Sequence, residues 1–153
     1  MPGYKIIDAS YVKTPFNELN PVDPSQDFGL MIACDGYSMD RGLHEFWDMV
    51  VSNNVKYVTA FNEGFGGSNR NWFDVYRYFP DEKEKSMNVG TKYKVVNLVN
   101  KVKETGSMTK RTLQVYDAKT NTVVHSLTHI HFHAWEDFSV PADQAMSDLM
   151  SAI

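Results

Sequence analysis

The sequence contains a single cysteine, Cys34, among its 153 residues, which excludes an intrachain disulfide. It also has no Asn-x-Ser/Thr sequon, and its N-terminus lacks the charged and then apolar regions of a signal peptide. Since disulfides and glycosylation sites are typical of secreted proteins, these absences favour a reducing compartment. We therefore expect a cytoplasmic protein.

Long apolar runs and a basic excess are missing as well. No segment approaches the roughly 20 apolar residues of a membrane-spanning helix, so no membrane partner is expected. The formal net charge of -4 leaves no surplus of Lys and Arg to neutralise phosphates, which argues against a nucleic-acid partner. The remaining composition, 42% hydrophobic and 22% charged, is that of an ordinary globular domain.

The first part of the chain is rich in proline. Four of the six prolines precede Phe28, and residues 1–27 are expected to form a loop-rich lead-in. The apolar run Phe28–Cys34 then predicts a buried strand. A thiol in such a run is expected to be a small, inert core residue, which makes Cys34 a poor candidate nucleophile.

Two helices are predicted from apolar residues at helical spacing. The first covers Leu43–Val51, with Asp40 as its expected N-cap and Asn53–Asn54 at its end. The second follows the loop at residues 135–141, with Ser139 or Pro141 marking its start. Together with the intervening strands they predict an α/β (α+β) fold.

The stretch between the helices has the pattern of strands. Val55–Phe61 and Trp72–Phe79 are predicted strands, and the glycine-rich run 62–71 between them is predicted to be a connector rather than a phosphate cradle. Three later strands, joined by short turn-forming segments, are expected to form an antiparallel meander over Lys92–Val102, Thr109–Asp117 and Thr122–Ala134.

Histidine is concentrated in the last of these strands. His129, His131 and His133 alternate with other residues, so their side chains are expected to share one face. Such a ladder is able to hold zinc or another divalent cation, with Asp137 or His44 as a further ligand. Histidines on a strand face are more often hydrogen-bonded structural groups. A metal-binding β protein is therefore one hypothesis, and no cofactor motif accompanies it.

Asp137 lies between the end of a predicted strand and the start of a predicted helix, where functional loops are often found. From the residues alone, it is either a solvated turn carboxylate or a general acid on a loop hinged at Trp135 and Pro141. No Gly-x-Ser-x-Gly, Walker or Cys-x-x-Cys motif offers a competing site.

The same segment resembles the classical protein tyrosine phosphatases. In that family a strand ending F-H-Y-x-x-W leads into a loop W-P-D-x-G-V-P. Here Ile130–Trp135 reads IHFHAW, and Asp137, Val140 and Pro141 match the D, V and P of the loop. Five other family elements occur in order: I-N-A-S-Y-V, A-C-Q-G-P, D-F-W-x-M-V, K-C-x-x-Y-W-P and R-x-L-x-V resemble segments beginning at Ile7, Ala33, Glu45, Asp74 and Arg111.

The resemblance implies a twisted mixed β-sheet flanked by helices. It also implies phosphotyrosine hydrolysis through a cysteinyl-phosphate intermediate, formed by a thiolate in an H-C-x5-R loop. Matched residue by residue, Asp137 is the general acid that protonates the leaving phenol, and Trp135 and Pro141 are the hinges of its loop. Substrate-binding residues are not assigned.

Three departures from the family pattern bear on activity. First, the H-C-x5-R loop and the K-N-R-Y loop that grips phosphotyrosine are missing. Second, Glu136 replaces the proline before the acid, and Ser139 replaces the glycine after it. Third, Ser86 stands where the family has the glutamate that supports the catalytic arginine. We therefore expect residues 1–153 to be the central portion of a phosphatase domain, truncated, similar to a pseudophosphatase and incomplete in fold.

Three functions follow from these observations. The first is a non-catalytic module that binds phosphotyrosine proteins or a protein partner that complements its sheet. The second is a fragment of an active phosphatase in which Asp137 is the acid. The third is the metal-binding β protein with its site at His129, His131 and His133.

Overall fold

The computed structural model describes residues 9–13, 30–34, 42–62, 65–66, 75–80, 85–98, 103–104, 106–135 and 139–151. Contacts along the chain divide it into two units, Met1–Gly36 and Tyr37–Ile153.

The first unit contains a two-stranded antiparallel sheet. Strand β1 (Ala9–Lys13) lies within the segment expected to be loop-rich and pairs with β2 (Leu30–Cys34). Cys34 is exposed, so the prediction of a buried core thiol is wrong. The apolar run does form a strand, but among the described residues β1 is its one strand partner, and a two-stranded sheet by itself buries few side chains.

The second unit contains a mixed sheet, as expected. Its main strands follow the order β3-β10-β9-β7-β6, with β8 pairing β9 at the side, and β4 and β5 form a separate short parallel pair. The strands are β3 (Tyr57–Phe61), β4 (Phe65–Gly66), β5 (Val75–Tyr76), β6 (Ser86–Val89), β7 (Tyr93–Asn97), β8 (Lys103–Glu104), β9 (Met108–Asp117) and β10 (Val123–Phe132).

Strands β7, β9 and β10 form the predicted antiparallel meander, and β3 joins it parallel to β10. The strand predicted over Trp72–Phe79 is confirmed only at β5, because Tyr78 and Phe79 are not in a strand and 71–74 lie outside the described residues. Strands β4, β6 and β8 were not predicted from the sequence, and β4 lies within the run 62–71 that was expected to be a connector.

Two helices pack with this unit, α1 (Leu43–Ser52) and α2 (Asp143–Met150). Both predicted helices are confirmed, but their starts differ from the predictions. The residue before α1 is Gly42, with no side-chain cap, while Asp40 lies outside the described residues. Helix α2 begins after Ala142, past both predicted start residues.

The unit has two apolar cores, and alternate residues of β10 face different ones. Leu127 lies in the first core, which includes Trp47 of α1. Ile130 and Phe132 lie in the second core, which includes Leu149 of α2. Because neighbouring strand residues point to opposite faces, the two helices lie on opposite sides of the sheet. The expected arrangement of helices flanking the sheet is therefore confirmed.

Candidate functional site

The loop that follows β10 is held at both ends. Trp135 donates a hydrogen bond from its indole Nε1 to the carbonyl oxygen of Ser139 at 3.1 Å, and Pro141 is buried just before α2. The predicted hinges, Trp135 and Pro141, therefore lie between the end of β10 and the start of α2. Residues 136–138 lie outside the described residues, and with them the predicted acid Asp137.

An aromatic contact joins this loop to β3. The ring of Phe61 lies edge-on to Trp135, with 5.8 Å between ring centroids and 84° between planes. Phe61 makes a second edge-on contact with Phe132, at 6.1 Å and 71°. Such geometries are favourable for aromatic pairs, so the end of β3 supports the base of the loop.

Two histidines of β10 form hydrogen bonds with the backbone just before and just after β3. His125 Nε2 lies 2.6 Å from the carbonyl oxygen of Val55, and His131 Nε2 lies 2.8 Å from the carbonyl oxygen of Asn62. A carbonyl oxygen only accepts, so both histidines carry their proton on Nε2 and donate it. These bonds hold β3 in its parallel register with β10.

His129, between them, is fully buried. Its Nε2 shares a 2.7 Å hydrogen bond with the hydroxyl of Tyr78, and its ring lies 4.4 Å from that of Phe79. Burial lowers the pKa of His129 to about 3, and the positive charge of Arg111 acts in the same direction. Burial likewise lowers the pKa of His131, against the opposing effect of its bond to Asn62. Both imidazoles are therefore neutral near pH 7.

These contacts bear on the metal hypothesis. Within the part of the chain that the structure describes, no group of three or more His, Cys, Asp or Glu side chains is placed to hold a metal ion. His129 and His131 do share a face, as predicted, but their Nε2 atoms bond Tyr78 and Asn62. His133 lies just beyond the strand, 5.5 Å from the ring of His131. The observed contacts of His129 and His131 are structural hydrogen bonds.

Sequence elements that carry the family resemblance meet in the first core. Trp47 of α1 donates from Nε1 to the carbonyl oxygen of Tyr78 at 2.9 Å, and both side chains are buried. Leu113 and Val115 of β9 pack in the same core. Elements separated by more than sixty residues therefore form one continuous interior.

A cleft of about 420 Å³ lies at the other end of the sheet, lined by His44, Thr91, Lys92, Asp117 and Lys119. It adjoins the turn before β10, at the end of that strand away from Trp135. Lys92 donates to Asp48, which also accepts from the Tyr93 hydroxyl. Although partial burial opposes it, these bonds lower the pKa of Asp48, so its carboxylate is charged next to Lys92 at neutral pH.

Sequence reasoning found the loop and the histidine ladder but missed their partners. Phe61, Asn62 and Tyr78 contact residues 51 to 74 positions away in the chain. Phe61 was recognised only as the last residue of a predicted strand. Its position opposite Phe132 depends on the parallel pairing of β3 with β10, for which the sequence carries no local signal.

Comparison with known families adds one match. A family model described as "Protein-tyrosine phosphatase" matches residues 3–153. No individual curated protein matches the chain. None of the helices in the described ranges is long and apolar enough to cross a membrane. The family match covers nearly all of the chain, including the loop after β10 and the elements that meet in its cores, and the chain therefore belongs to the protein-tyrosine phosphatase family.

Proposed function

We propose that residues 1–153 on their own form a non-catalytic phosphatase module that acts through binding. One observation carries the proposal: the only cysteine is Cys34, which follows Ala33 and has Asp40 six positions further on, so no His-Cys-x5-Arg sequence occurs. The family reaction needs that thiolate to attack phosphorus and that arginine to neutralise the phosphoryl oxygens. Without them there is no covalent step.

The position of Cys34 is consistent with this proposal. It lies at the end of β2, in an extended strand of a two-stranded sheet. A nucleophilic thiolate is stabilised instead by a loop of backbone N–H groups at a helix N-terminus or by nearby cations. An extended strand directs its N–H groups to the neighbouring strand and offers no such nest.

A second function applies where a His-Cys-x5-Arg segment acts together with these residues. Asp137 would then be the general acid that protonates the leaving phenolate oxygen, with Trp135 and Pro141 as hinges. What supports this is the described frame of the loop: the Trp135–Ser139 hydrogen bond at one end and the buried Pro141 at the other.

For the module alone, the proposed partner is a protein segment that complements the sheet, with phosphotyrosine proteins as the alternative. Among the described residues, β3 has β10 as its one strand neighbour, and its exposed Tyr57 and Phe61 offer apolar surface to such a segment. The cytoplasmic location stays a prediction.

Hydrolysis of p-nitrophenyl phosphate tests the catalytic part. We expect no turnover above buffer by residues 1–153, and no change on Cys34→Ser. Joined to a family segment that supplies His-Cys-x5-Arg, the chain should gain activity. Asp137→Asn should then lower kcat by about 10²- to 10⁴-fold, the usual contribution of a general acid.

Glu136→Gln is the matched control in the joined protein, since it removes the neighbouring carboxylate and should leave kcat within a few-fold. Turnover by residues 1–153 that disappears on Cys34→Ser would refute the non-catalytic proposal. Equal kcat values for Asp137→Asn and Glu136→Gln would refute the assignment of the acid.

A further inference from the structure

We propose that Phe61 is a positioning residue for the loop after β10. Its ring orients the Trp135 indole so that Nε1 donates to the Ser139 carbonyl oxygen. The functional meaning rests on the second proposed function, the one in which a His-Cys-x5-Arg segment completes the chain, because it assumes that this loop carries the acid. The structural effect on Trp135 does not depend on catalysis and is measurable by itself.

The first support is the arrangement of three aromatic rings. Phe61 contacts both Phe132, which is fully buried in the second core, and Trp135, which is 39% exposed at the base of the loop. Both contacts are edge-on, with centroid distances of 6.1 and 5.8 Å. Phe61 therefore contacts both Phe132, which the core holds in place, and Trp135. Because Trp135 is partly exposed, its surroundings restrict the orientation of its ring less than the core restricts that of Phe132.

The second support is the way Phe61 itself is held. It lies directly opposite Phe132 in the parallel pairing of β3 and β10. One residue further on, the Asn62 carbonyl oxygen accepts a hydrogen bond from His131 Nε2 at 2.8 Å. Strand pairing and this hydrogen bond therefore hold the backbone of Phe61 and Asn62 against β10, although the side chain of Phe61 is 53% exposed.

The third support is the hydrogen bond that the indole makes. Trp135 Nε1 reaches the carbonyl oxygen of Ser139, four residues along, at 3.1 Å. An indole N–H is a single donor with one direction, so this bond forms only for a narrow range of ring orientations. The edge-on contact with Phe61 restricts the orientations of the Trp135 indole. Loss of this contact should therefore weaken the hydrogen bond from Nε1 to the Ser139 carbonyl oxygen.

The test is an NMR measurement of the Trp135 indole N–H in residues 1–153, assigned with Trp135→Phe. In Phe61→Leu the resonance should shift, and its solvent-exchange rate should rise by about two- to tenfold, as expected for loss of one aromatic pair. Tyr57→Leu is the matched control: Tyr57 is on the same strand and 49% exposed, but at its opposite end, so the Trp135 signal should not change.

The Trp47 indole, buried and bonded to the Tyr78 carbonyl oxygen, reports whether each variant is folded. If Phe61→Leu also disturbs Trp47, the smaller change Phe61→Tyr, which keeps the ring, is compared with Phe61→Met, which does not. Exchange at Trp135 should then be normal in the first and faster in the second. An unchanged Trp135 signal in folded Phe61→Leu or Phe61→Met would overturn the proposal.

In a joined, active protein, the same variants separate this inference from the proposed function. Phe61→Leu should lower kcat and leave KM for p-nitrophenyl phosphate nearly unchanged, because a displaced acid affects the transition state rather than binding. If Asp137→Asn has no effect on kcat, the assignment of Asp137 as the acid fails, while the Trp135 signal still decides the role of Phe61.

Discussion

Individual side chains on β10 stabilise the sheet by contacts far away in sequence. His125 and His131 donate to backbone carbonyl oxygens just before and just after β3, and His129 bonds the Tyr78 hydroxyl in the core. Buried carbonyl and hydroxyl groups are costly to leave without a partner, so each bond satisfies a group that the fold would otherwise desolvate. These histidines act here as long side chains that form hydrogen bonds with groups distant in sequence.

The buried, neutral His129 predicts a pH-dependent stability. Its pKa is about 3 in the folded chain, against about 6.5 when unfolded. Between these values the unfolded state binds a proton that the folded state does not, so stability falls as pH falls from about 6.5 to about 3. The expected slope is about 1.4 kcal/mol per pH unit, and His131 adds to it in the same direction. Urea unfolding between pH 4 and 7 measures it.

Two variants identify the group responsible. His129→Gln should flatten the slope between pH 4 and 6, because no titrating group remains at that position. Tyr78→Phe should lower stability by about 1–3 kcal/mol at pH 7 but keep the slope, since His129 stays buried. Among the described residues, the carboxyls with a lowered pKa are Asp48 and Asp117, and both act below about pH 4. An equal slope in His129→Gln and the wild type would contradict this assignment.

At this scale the sequence predicted that His129 and His131 share a face, because strand geometry fixes which residues alternate. It did not predict what they bond, because Val55, Asn62 and Tyr78 are brought to them by strand pairing. It also misjudged Cys34. An apolar run indicates a strand but does not say whether a second layer covers it.

Among the elements, α1 shows how closely a helix end depends on one residue. Asn54 has a φ of 51°, the left-handed conformation, while Asn53 at the C-cap has a φ of -95°. The amide of Val55 donates to the carbonyl of Val50 and that of Asn54 to Val51, which together form a Schellman motif. The Asn-Asn pair ends the helix as predicted, and only its second member needs the special conformation.

This asymmetry gives a prediction with opposite signs at neighbouring positions. Asn54→Gly should stabilise the chain by up to about 1 kcal/mol, because glycine adopts a positive φ without strain. Asn53→Gly should destabilise it by about 0.5–1 kcal/mol, because it adds backbone freedom at an ordinary φ and removes the side-chain bond to the Met49 carbonyl. Thermal unfolding of the two variants measures both. The same sign for both would show that the helix end is not governed by this motif.

The long elements were predictable and the short ones were not. Helix α1 and strands β9 and β10 each have 10 residues and show a clear apolar period. Strand β6, with the sequence SMNV, shows none, and it is a strand because it pairs with β7. The parallel pairing of β3 with β10 likewise arises from the tertiary fold, and it is what brings Phe61 to Trp135.

For the whole molecule, the family match and the arrangement of the second unit agree. Sequence elements distributed from α1 to the loop after β10 belong to two cores on opposite faces of one mixed sheet. The family and the mixed sheet flanked by helices were predicted from the sequence and are confirmed. The acid Asp137 lies outside the described residues, so its role remains a prediction to be tested by experiment.

We propose that residues 1–153 contain the acid loop of the family but no nucleophile. Intact mass spectrometry of residues 1–153, quenched in denaturant at mildly alkaline pH after incubation with p-nitrophenyl phosphate, is the measurement that tests this, because the P–S bond of a phosphocysteine is labile in mild acid and persists at alkaline pH. We predict an unmodified mass at every time point. A mass increased by one phosphoryl group, lost in Cys34→Ser and retained in Asp137→Asn, would contradict the account.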